Sequence, residues 1–161
     1  MYSTIYAIFG FVFVFAVSAI HIVSLHFPDE VQSGQELQLR CDYNLDGENL
    51  YSVKWYRDDM EFFRYVPMDN PVKQFFSLDG IQVDIERSNK DIVVLTKVTP
   101  ITQGVFRCEV SADAPSFQTV SAQKDMIINV NSASEMNKNM SGGTAVALFL
   151  FVLGRKLLEI R

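Results

Sequence analysis

The two cysteines are the side chains in this sequence whose chemistry is best defined. Cys41 and Cys108 are the only cysteines among the 161 residues. An even number of cysteines in an exported chain favours a disulfide, and a bridged pair leaves no thiol for nucleophilic catalysis. We therefore expect one structural disulfide between them, with two unrelated buried thiols as the alternative.

The other reactive side chains do not form the sets that catalysis or metal binding requires. The two histidines, His21 and His26, have no metal-ligand spacing, and the sequence contains neither a nucleophile elbow nor a phosphate-binding loop. The net charge of -5 argues against a nucleic-acid partner, because such proteins present a basic surface. We predict a protein that is not an enzyme, with no cofactor, no metal and no small-molecule substrate.

Several segments that could position the cysteines alternate apolar and polar residues with a period of two. This alternation is typical of half-buried β-strands, and turn residues such as Asp46-Gly47 and Asp79-Gly80 separate the segments. No convincing amphipathic helix lies between them. The predicted inward positions are Leu37, Leu39, Cys41 and Tyr43; Tyr51, Val53 and Trp55; Val93 and Leu95; and Phe106, Cys108 and Val110.

The order cysteine, tryptophan, cysteine identifies the kind of β-fold. Cys41, Trp55 and Cys108 each occupy an inward position, as in immunoglobulin sandwiches, where a strand C tryptophan packs on the disulfide between strands B and F. Phe106 stands where the tyrosine of strand F normally lies, so its missing hydroxyl should cost on the order of 1 kcal/mol. The predicted core centres on Trp55, Phe106, Leu39 and Leu95.

The segment from Arg57 to Asp91 is long enough to hold three additional strands. Variable-type immunoglobulin domains carry extra strands there, whereas constant-type domains do not. We therefore predict an all-β, variable-type immunoglobulin-like sandwich over residues 20–130, made of two antiparallel sheets joined by one disulfide.

Aromatic and charged residues on the predicted strands C, C′ and F suggest a protein-binding face. Strict alternation cannot bury Phe62, Phe63 and Tyr65 together, so at least one aromatic ring is expected in solvent beside Arg64. The alternative is that Phe62 or Phe63 covers the edge of the sandwich. Glu109 and Phe117 would extend the patch. The predicted contact residues are Tyr56, Phe63, Arg64, Tyr65, Arg107 and Asp113.

The N-terminal residues 1–19 are predicted to be a secretory signal peptide. The segment from Ile5 to Val17 is apolar, and Val17-Ser18-Ala19 is a small-residue cleavage pattern. An uncleaved anchor helix is the alternative, but roughly 13 apolar residues are too few to span a bilayer. We therefore expect entry into the secretory pathway and an extracellular or cell-surface location.

The C-terminal residues divide into a polar linker, 131–143, and a hydrophobic tail, 144–161. Small residues around Ser132, a polar spacer and an apolar run suggest a lipid-anchor signal with attachment at Ser132. A short membrane helix with a basic flank is the second interpretation, and a last exon read out of frame is the third. Either of the first two would bring the tail into contact with a membrane. Asn139 lies in a glycosylation sequon, which a lipid-anchor signal would remove.

Three segments of the chain resemble the insect beaten path proteins. They are Leu50-Tyr51-Ser52-Val53-Lys54-Trp55-Tyr56-Arg57, Glu61-Phe62-Phe63-Arg64-Tyr65 and the run from Arg107 to Phe117, and the similarity extends over residues 31–130. The resemblance implies a role in axon guidance or synaptic partner matching. It also implies binding to a cell-surface immunoglobulin receptor of the sidestep type. A secreted, opsonin-like immune protein is the alternative function.

Overall fold

The structure, a computed structural model, describes residues 19–130 as a set of short strands with one 3-10 turn. The strands are β1 (His21–His26), β2 (Glu30–Gln32), β3 (Leu37–Asn44), β4 (Leu50–Arg57), β5 (Met60–Tyr65), β6 (Lys73–Phe75), β7 (Val83–Asp84), β8 (Ile92–Leu95), β9 (Gly104–Ala112) and β10 (Thr119–Asn129), and the 3-10 turn is Pro100–Thr102.

The strands form two packed sheets. The four-stranded sheet has the order β1-β3-β8-β7, and the six-stranded sheet has the order β2-β10-β9-β4-β5-β6. The two strands β5 and β6, beside β4, are the additions that distinguish a variable-type sandwich, so the predicted fold class is confirmed. One pairing differs from the predicted antiparallel sheets, because β2 runs parallel to β10. The chain crosses from the four-stranded sheet to the six-stranded sheet between β1 and β2 and keeps its direction as it does so.

The disulfide joins the two sheets at the centre of the core, as predicted. Cys41 on β3 and Cys108 on β9 are bridged with their Cα atoms 6.4 Å apart. Trp55 is 1% exposed and lies opposite Cys108 in the register of β4 with β9. The predicted core residues Trp55, Phe106, Leu39 and Leu95 are all buried, which confirms the core.

The ring of Phe106 belongs to an aromatic cluster inside the sandwich. It contacts Phe27 and Phe62 edge-on, with ring centroids 6.0 and 5.9 Å apart, and Phe27 also approaches Trp55 at 6.4 Å. Edge-to-face aromatic pairs stabilise beyond their buried area. Phe106 therefore contributes apolar ring packing at a position where a tyrosine is usual.

A β-bulge in β5 overturns the expectation for Phe63. The register pairs Trp55 with Phe63 but Tyr56 with Glu61, so Phe62 is the extra residue on β5. A bulge places two residues of one strand opposite one of its neighbour, and this interrupts the alternation of sides. Phe62 and Phe63 both point inward and are both fully buried, so Phe63 cannot contact a partner.

A second irregularity changes the start of β4. The register with β9 shifts between Leu50 and Ser52. As a result Ser52 is buried, while Tyr51, which alternation places inside, is 52% exposed. The predicted inward position of Tyr51 is therefore wrong, although Val53 and Trp55 keep theirs.

The end of the sandwich opposite the β3–β4 connection is closed by polar contacts. The buried guanidinium of Arg57 donates hydrogen bonds to the carbonyl oxygens of Asp79 and Ile101, at 2.8 and 2.6 Å. The buried hydroxyl of Thr102 donates to the carbonyl of Gly80 at 2.6 Å and accepts from the backbone N–H of Thr99 at 2.8 Å. These bonds join β4, the loop before β7 and the 3-10 turn.

Candidate binding face

The outer face of the six-stranded sheet carries a regular array of polar and aromatic side chains. Residues that lie directly opposite each other on neighbouring strands share a face of the sheet. The register therefore places two rows together on this surface, which we name the outer face. The rows are Gln74, Arg64, Lys54, Glu109 and Ser121, and Glu61, Tyr56, Arg107 and Gln123.

Tyr56 lies at the centre of the outer face and has a restricted orientation. The guanidinium carbon of Arg107 lies 4.0 Å from the centroid of its ring, and its hydroxyl donates to Glu109 Oε1 at 3.2 Å. Burial raises the pKa of the Tyr56 phenol to about 12, and the charges of Glu109 and Glu61 add to this effect. The ring is therefore neutral and fixed between a cation and a carboxylate.

Arg107 and Glu109 balance the charges around this tyrosine. Arg107 Nη1 donates to Glu109 Oε2 at 3.1 Å, and its Nη2 donates to Asp59 Oδ1 at 3.1 Å. The ammonium group of Lys54 lies 3.8 Å from Glu109 Oε1. Since Arg107, Glu109 and Lys54 are half-buried and paired, a partner would meet a surface of fixed polarity and not a set of mobile charges.

Arg64 forms a second ordered contact on the outer face. Its Nε and Nη2 donate to the two carboxylate oxygens of Glu61 at 2.6 and 3.0 Å, a bidentate geometry. This hydrogen bonding raises the pKa of the Arg64 guanidinium above its ordinary value. The guanidinium also lies 5.0 Å from the ring centroid of Phe76, which is 37% exposed. The aromatic ring that accompanies Arg64 is thus Phe76, in the segment after β6.

Two further predicted contact residues lie away from the outer face. Tyr65 pairs with Val53, which points into the core, so its half-buried ring packs against the interior. Asp113 follows β9, where its N–H donates to the carbonyl of Asn49 at 2.8 Å and its carboxylate accepts from the N–H of Ala114. The outer face therefore contains Tyr56, Arg64 and Arg107, but not Phe63, Tyr65 or Asp113.

A hollow of about 330 Å³ opens beside Arg107 at one edge of the outer face. It is lined by Asp58, Asp59, Val105, Arg107 and Gln123. Asp58 and Asp59 adopt left-handed backbone angles in the tight turn between β4 and β5, and the Asp58 carboxylate accepts from the N–H of Val105 at 2.9 Å. The hollow is the size of one or two side chains and could receive an anchor from a partner protein.

Sequence reasoning missed Phe76 and Asp59 as members of this surface. Phe76 meets Arg64 only because β6 pairs with β5, and Asp59 meets Arg107 only because the β4–β5 turn folds toward β9. Each contact joins a strand residue to a residue in a connection distant from it in the sequence. The sequence did offer one signal for each residue: Phe76 follows another phenylalanine, and Asp59 follows another aspartate.

Several predicted features lie outside the described residues. These are nearly all of the signal peptide, the linker, the hydrophobic tail, Ser132 and Asn139. Over residues 19–130, no helix is long and apolar enough to cross a bilayer. The same residues contain no group of three or more side chains that could hold a metal ion.

Comparisons with known proteins support the fold. The chain matches no protein-family model and no curated protein. The V domain of amphioxus IgVJ-C2 superposes with a TM-score of 0.50 at 18% identity, covering 62% of this chain and 97% of that domain. Murine CEACAM1b superposes with a TM-score of 0.51 at 14% identity, covering 70% of this chain and 54% of that protein. At these identities the similarity establishes an immunoglobulin variable-type fold.

Proposed function

We propose that this protein is an extracellular recognition protein whose outer face binds another protein. The observation that carries the proposal is the ring of Tyr56, fixed between Arg107 and Glu109 in the middle of an open sheet face. Tyrosine and arginine are the side chains most enriched at interface hot spots. Because both are already ordered, a partner would not have to supply the entropy of fixing them.

The shape and charge of the outer face favour a protein partner over other ligands. Its charged groups are paired, Lys54 with Glu109 on the neighbouring strand and Arg64 with Glu61 within β5, so the face has no excess of positive charge for a phosphate backbone. A flat, polar sheet face with aromatic anchors and one side hollow suits an interface between two folded domains.

We further propose that the partner is a cell-surface immunoglobulin receptor of the sidestep type, in axon guidance or synaptic partner matching. The segments that resemble the beaten path proteins coincide with β4, β5 and β9, the strands that supply most of the outer face. The disulfide supports an exported location, because such bridges persist in oxidising compartments. Attachment of the chain to a membrane through a lipid at Ser132 stays a prediction.

The test is a binding screen with the full chain. The chain is produced in insect cells, captured by an antibody from the medium or from a surface extract, and probed with multimerised ectodomains of immunoglobulin receptors, sidestep types included. A parallel set of wells receives bacterial and fungal glycans. The control is the variant Val23→Ser, which alters an exposed apolar residue on β1, in the four-stranded sheet.

The expected result is saturable binding of at least one sidestep-type ectodomain, retained by the control variant. Binding to glycans with no binding to any receptor would instead support the secreted, opsonin-like function. Binding of neither class by correctly disulfide-bonded protein would contradict the proposal.

A further inference from the structure

The strand β10 lies at one edge of the six-stranded sheet and is covered over only part of its length. On one side it pairs with β9 over residues 119–126. On the other side β2 pairs with residues 127–129, and no other strand in the described part of the chain joins it there. Residues 119–125 therefore form an open sheet edge, which we name the β10 edge.

The hydrogen bonds of β10 show which of its backbone groups point to this edge. Hydrogen-bonded pairs recur at every second residue of an antiparallel ladder. The N–H of Ala112 donates to the carbonyl of Gln118 at 2.8 Å, so the even-numbered residues of β10 direct their backbone groups toward β9. The odd-numbered residues point the other way, and the N–H of Ile127 accordingly donates to the carbonyl of Asp29 at 2.7 Å. Four exposed residues thus direct an N–H and a carbonyl to the β10 edge: Thr119, Ser121, Gln123 and Asp125.

The other edges of the two sheets carry features that hinder the addition of a strand. β2, β6 and β7 have only two or three residues each. β1 is longer, but its register shifts between Ile22 and Ser24. Short strands, bulges and prolines are means by which proteins block their edges. The β10 edge has an uninterrupted register with β9 and contains no proline, so it is open to pairing.

The β10 edge is complementary to a second copy of itself. When two such edges run antiparallel, one register brings all the open residues of both copies together. That register sets Thr119 opposite Asp125 and Ser121 opposite Gln123, so no residue faces a like charge. Each of these pairs can exchange two backbone hydrogen bonds. A shift of the register would lose pairs, because β10 begins at Thr119 and β2 occupies its edge from Ile127 onward.

The alternate side chains of the β10 edge also permit this pairing. Ala122 lies on the twofold axis and faces its own copy, while Val120 faces Lys124. Lysine on an edge strand often blocks pairing, but the ammonium group of Lys124 is bound by its own chain. It donates to the carbonyl of Phe27 at 2.6 Å and lies 3.0 Å from Asp29 Oδ1, both in the connection between β1 and β2. Its charge is therefore held away from a strand added at the edge.

We propose that the β10 edge joins two copies of this protein as neighbouring antiparallel strands of one continuous sheet. A twofold axis relates the copies, and each contributes the same edge. Residues that lie opposite each other share a face of the sheet, so the pairing of Ser121 with Gln123 keeps both outer faces on the same side. The dimer presents two outer faces side by side, and a receptor clustered on a cell surface can bind both, which raises the apparent affinity.

This proposal goes beyond the proposed function because self-association requires no receptor. Tyr56 and Arg107 lie on β4 and β9, outside the β10 edge. A monomer could bind a receptor through its outer face, and a dimer could form without binding any receptor. Only the gain in apparent affinity rests on the proposed function, so the two proposals fail separately.

The first test measures the molar mass of the full chain, produced in insect cells, by light scattering over a range of concentrations. A mild detergent is present to disperse association through the apolar C-terminal run. Ser121→Pro removes one N–H from the edge and leaves the ladder with β9 intact, because that N–H points away from β9. Val23→Ser, at an exposed position on β1, is the control. Circular dichroism and the urea midpoint establish that each variant is folded.

The wild type and Val23→Ser should rise from the mass of a monomer to twice that mass as concentration increases. The dissociation constant of the Ser121→Pro dimer should be at least tenfold higher. A wild type that stays monomeric at every concentration, or self-association that a folded Ser121→Pro variant retains unchanged, would overturn the proposal.

A second test reads the register and needs no proline variant. Ser121→Cys and Gln123→Cys are oxidised separately and as a mixture. The proposed register sets position 121 of one copy opposite position 123 of the other, with Cα atoms about 5.5 Å apart, a distance that a disulfide can bridge. Identical positions are diagonal neighbours, about 7–8 Å apart. Cross-linked dimer should therefore form at least tenfold faster in the mixture, and equal rates or no cross-linking would contradict the proposal.

Discussion

At the scale of single residues, polar groups that are buried or ion-paired decide how this sandwich tolerates substitution. Thr102 is 0% exposed, and its hydroxyl both donates to Gly80 and accepts from Thr99. Arg87 lies in solvent, yet it joins Glu36, before β3, to Asp84 on the edge strand β7. Replacing Thr102 should lower stability by leaving hydrogen-bonding groups unsatisfied. Replacing Arg87 should change how stability depends on acid pH.

Thr102→Val should lower the free energy of unfolding by about 1–3 kcal/mol, because valine keeps the shape but leaves the half-buried N–H of Thr99 and carbonyl of Gly80 without their partner. The measurement is urea denaturation with an unchanged m-value. Thr96→Val is the control: this threonine is exposed and its only hydrogen bond is long, 3.4 Å, so its effect should stay within about 0.5 kcal/mol. Equal losses in the two variants would contradict the role of Thr102.

Arg87 should make folding stability depend on acid pH. Its hydrogen bonds lower the pKa of Glu36 below 4.5 and that of Asp84 below 3.8. Carboxyl groups whose pKa is lower in the folded state stabilise it above the unfolded pKa, and the contribution is lost as pH falls through the folded value. Arg87→Gln should therefore flatten the decline of unfolding free energy below pH 4.5. Curves of the same slope for this variant and for Lys97→Gln, at an exposed lysine, would refute the prediction.

At the scale of elements, the regular strands could be predicted from the sequence and the irregular ones could not. Alternation correctly assigned Leu37 and Leu39 on β3 and Phe106 and Val110 on β9, because β3 pairs with β8 and β9 pairs with β10 without interruption. The bulge in β5 depends on which hydrogen bonds β4 and β5 form, and no single residue of β5 specifies that choice. Alternation applied across a bulge assigns the following side chains to the wrong face.

The same limit explains which part of the binding face could be predicted. Tyr56 and Arg107 were correctly placed on the outer face because β4 and β9 pair regularly there, with the two residues opposite each other. Phe63 and Tyr65 follow the bulge, and alternation could not place them. Partnerships such as Arg64 with Phe76 need the order of the strands in the sheet, which the sequence does not state.

Phe63→Ala should lower the free energy of unfolding by about 3–5 kcal/mol, because it empties a fully buried position opposite Trp55. Phe76→Ala is the matched control, since the same side chain is removed from a site with 37% exposure, and it should cost clearly less. Both are measured by urea denaturation. A smaller loss for Phe63→Ala than for Phe76→Ala would mean that β5 has the regular register and that Phe63 faces solvent.

At the scale of the whole molecule, one disulfide joins two sheets that bury few polar groups between them. It closes a loop with a sequence separation of 67, which corresponds to about 4 kcal/mol of stabilisation in the loop-entropy model. Domains of this size have roughly 5–15 kcal/mol in total. The bridge therefore accounts for a large share of the stability.

Replacing both cysteines, as Cys41→Ala/Cys108→Ala, should lower the free energy of unfolding by at least the loop-entropy value of about 4 kcal/mol. The comparison is urea denaturation of the oxidised wild type, the reduced wild type and the double variant. The reduced wild type should be closer to the variant than to the oxidised protein. A loss below about 1 kcal/mol would contradict the structural role that we assign to the bridge.

The central claim at this scale concerns the outer face of the six-stranded sheet. The most direct test is to titrate the receptor ectodomain found in the screen against the wild type, Tyr56→Ala/Arg107→Ala and the control Val23→Ser on the four-stranded sheet, with urea midpoints showing that each is folded. The account predicts at least a tenfold loss of affinity, about 1.4 kcal/mol, for the outer-face variant and none for the control. An affinity within twofold of the wild type for Tyr56→Ala/Arg107→Ala would show that the receptor binds elsewhere.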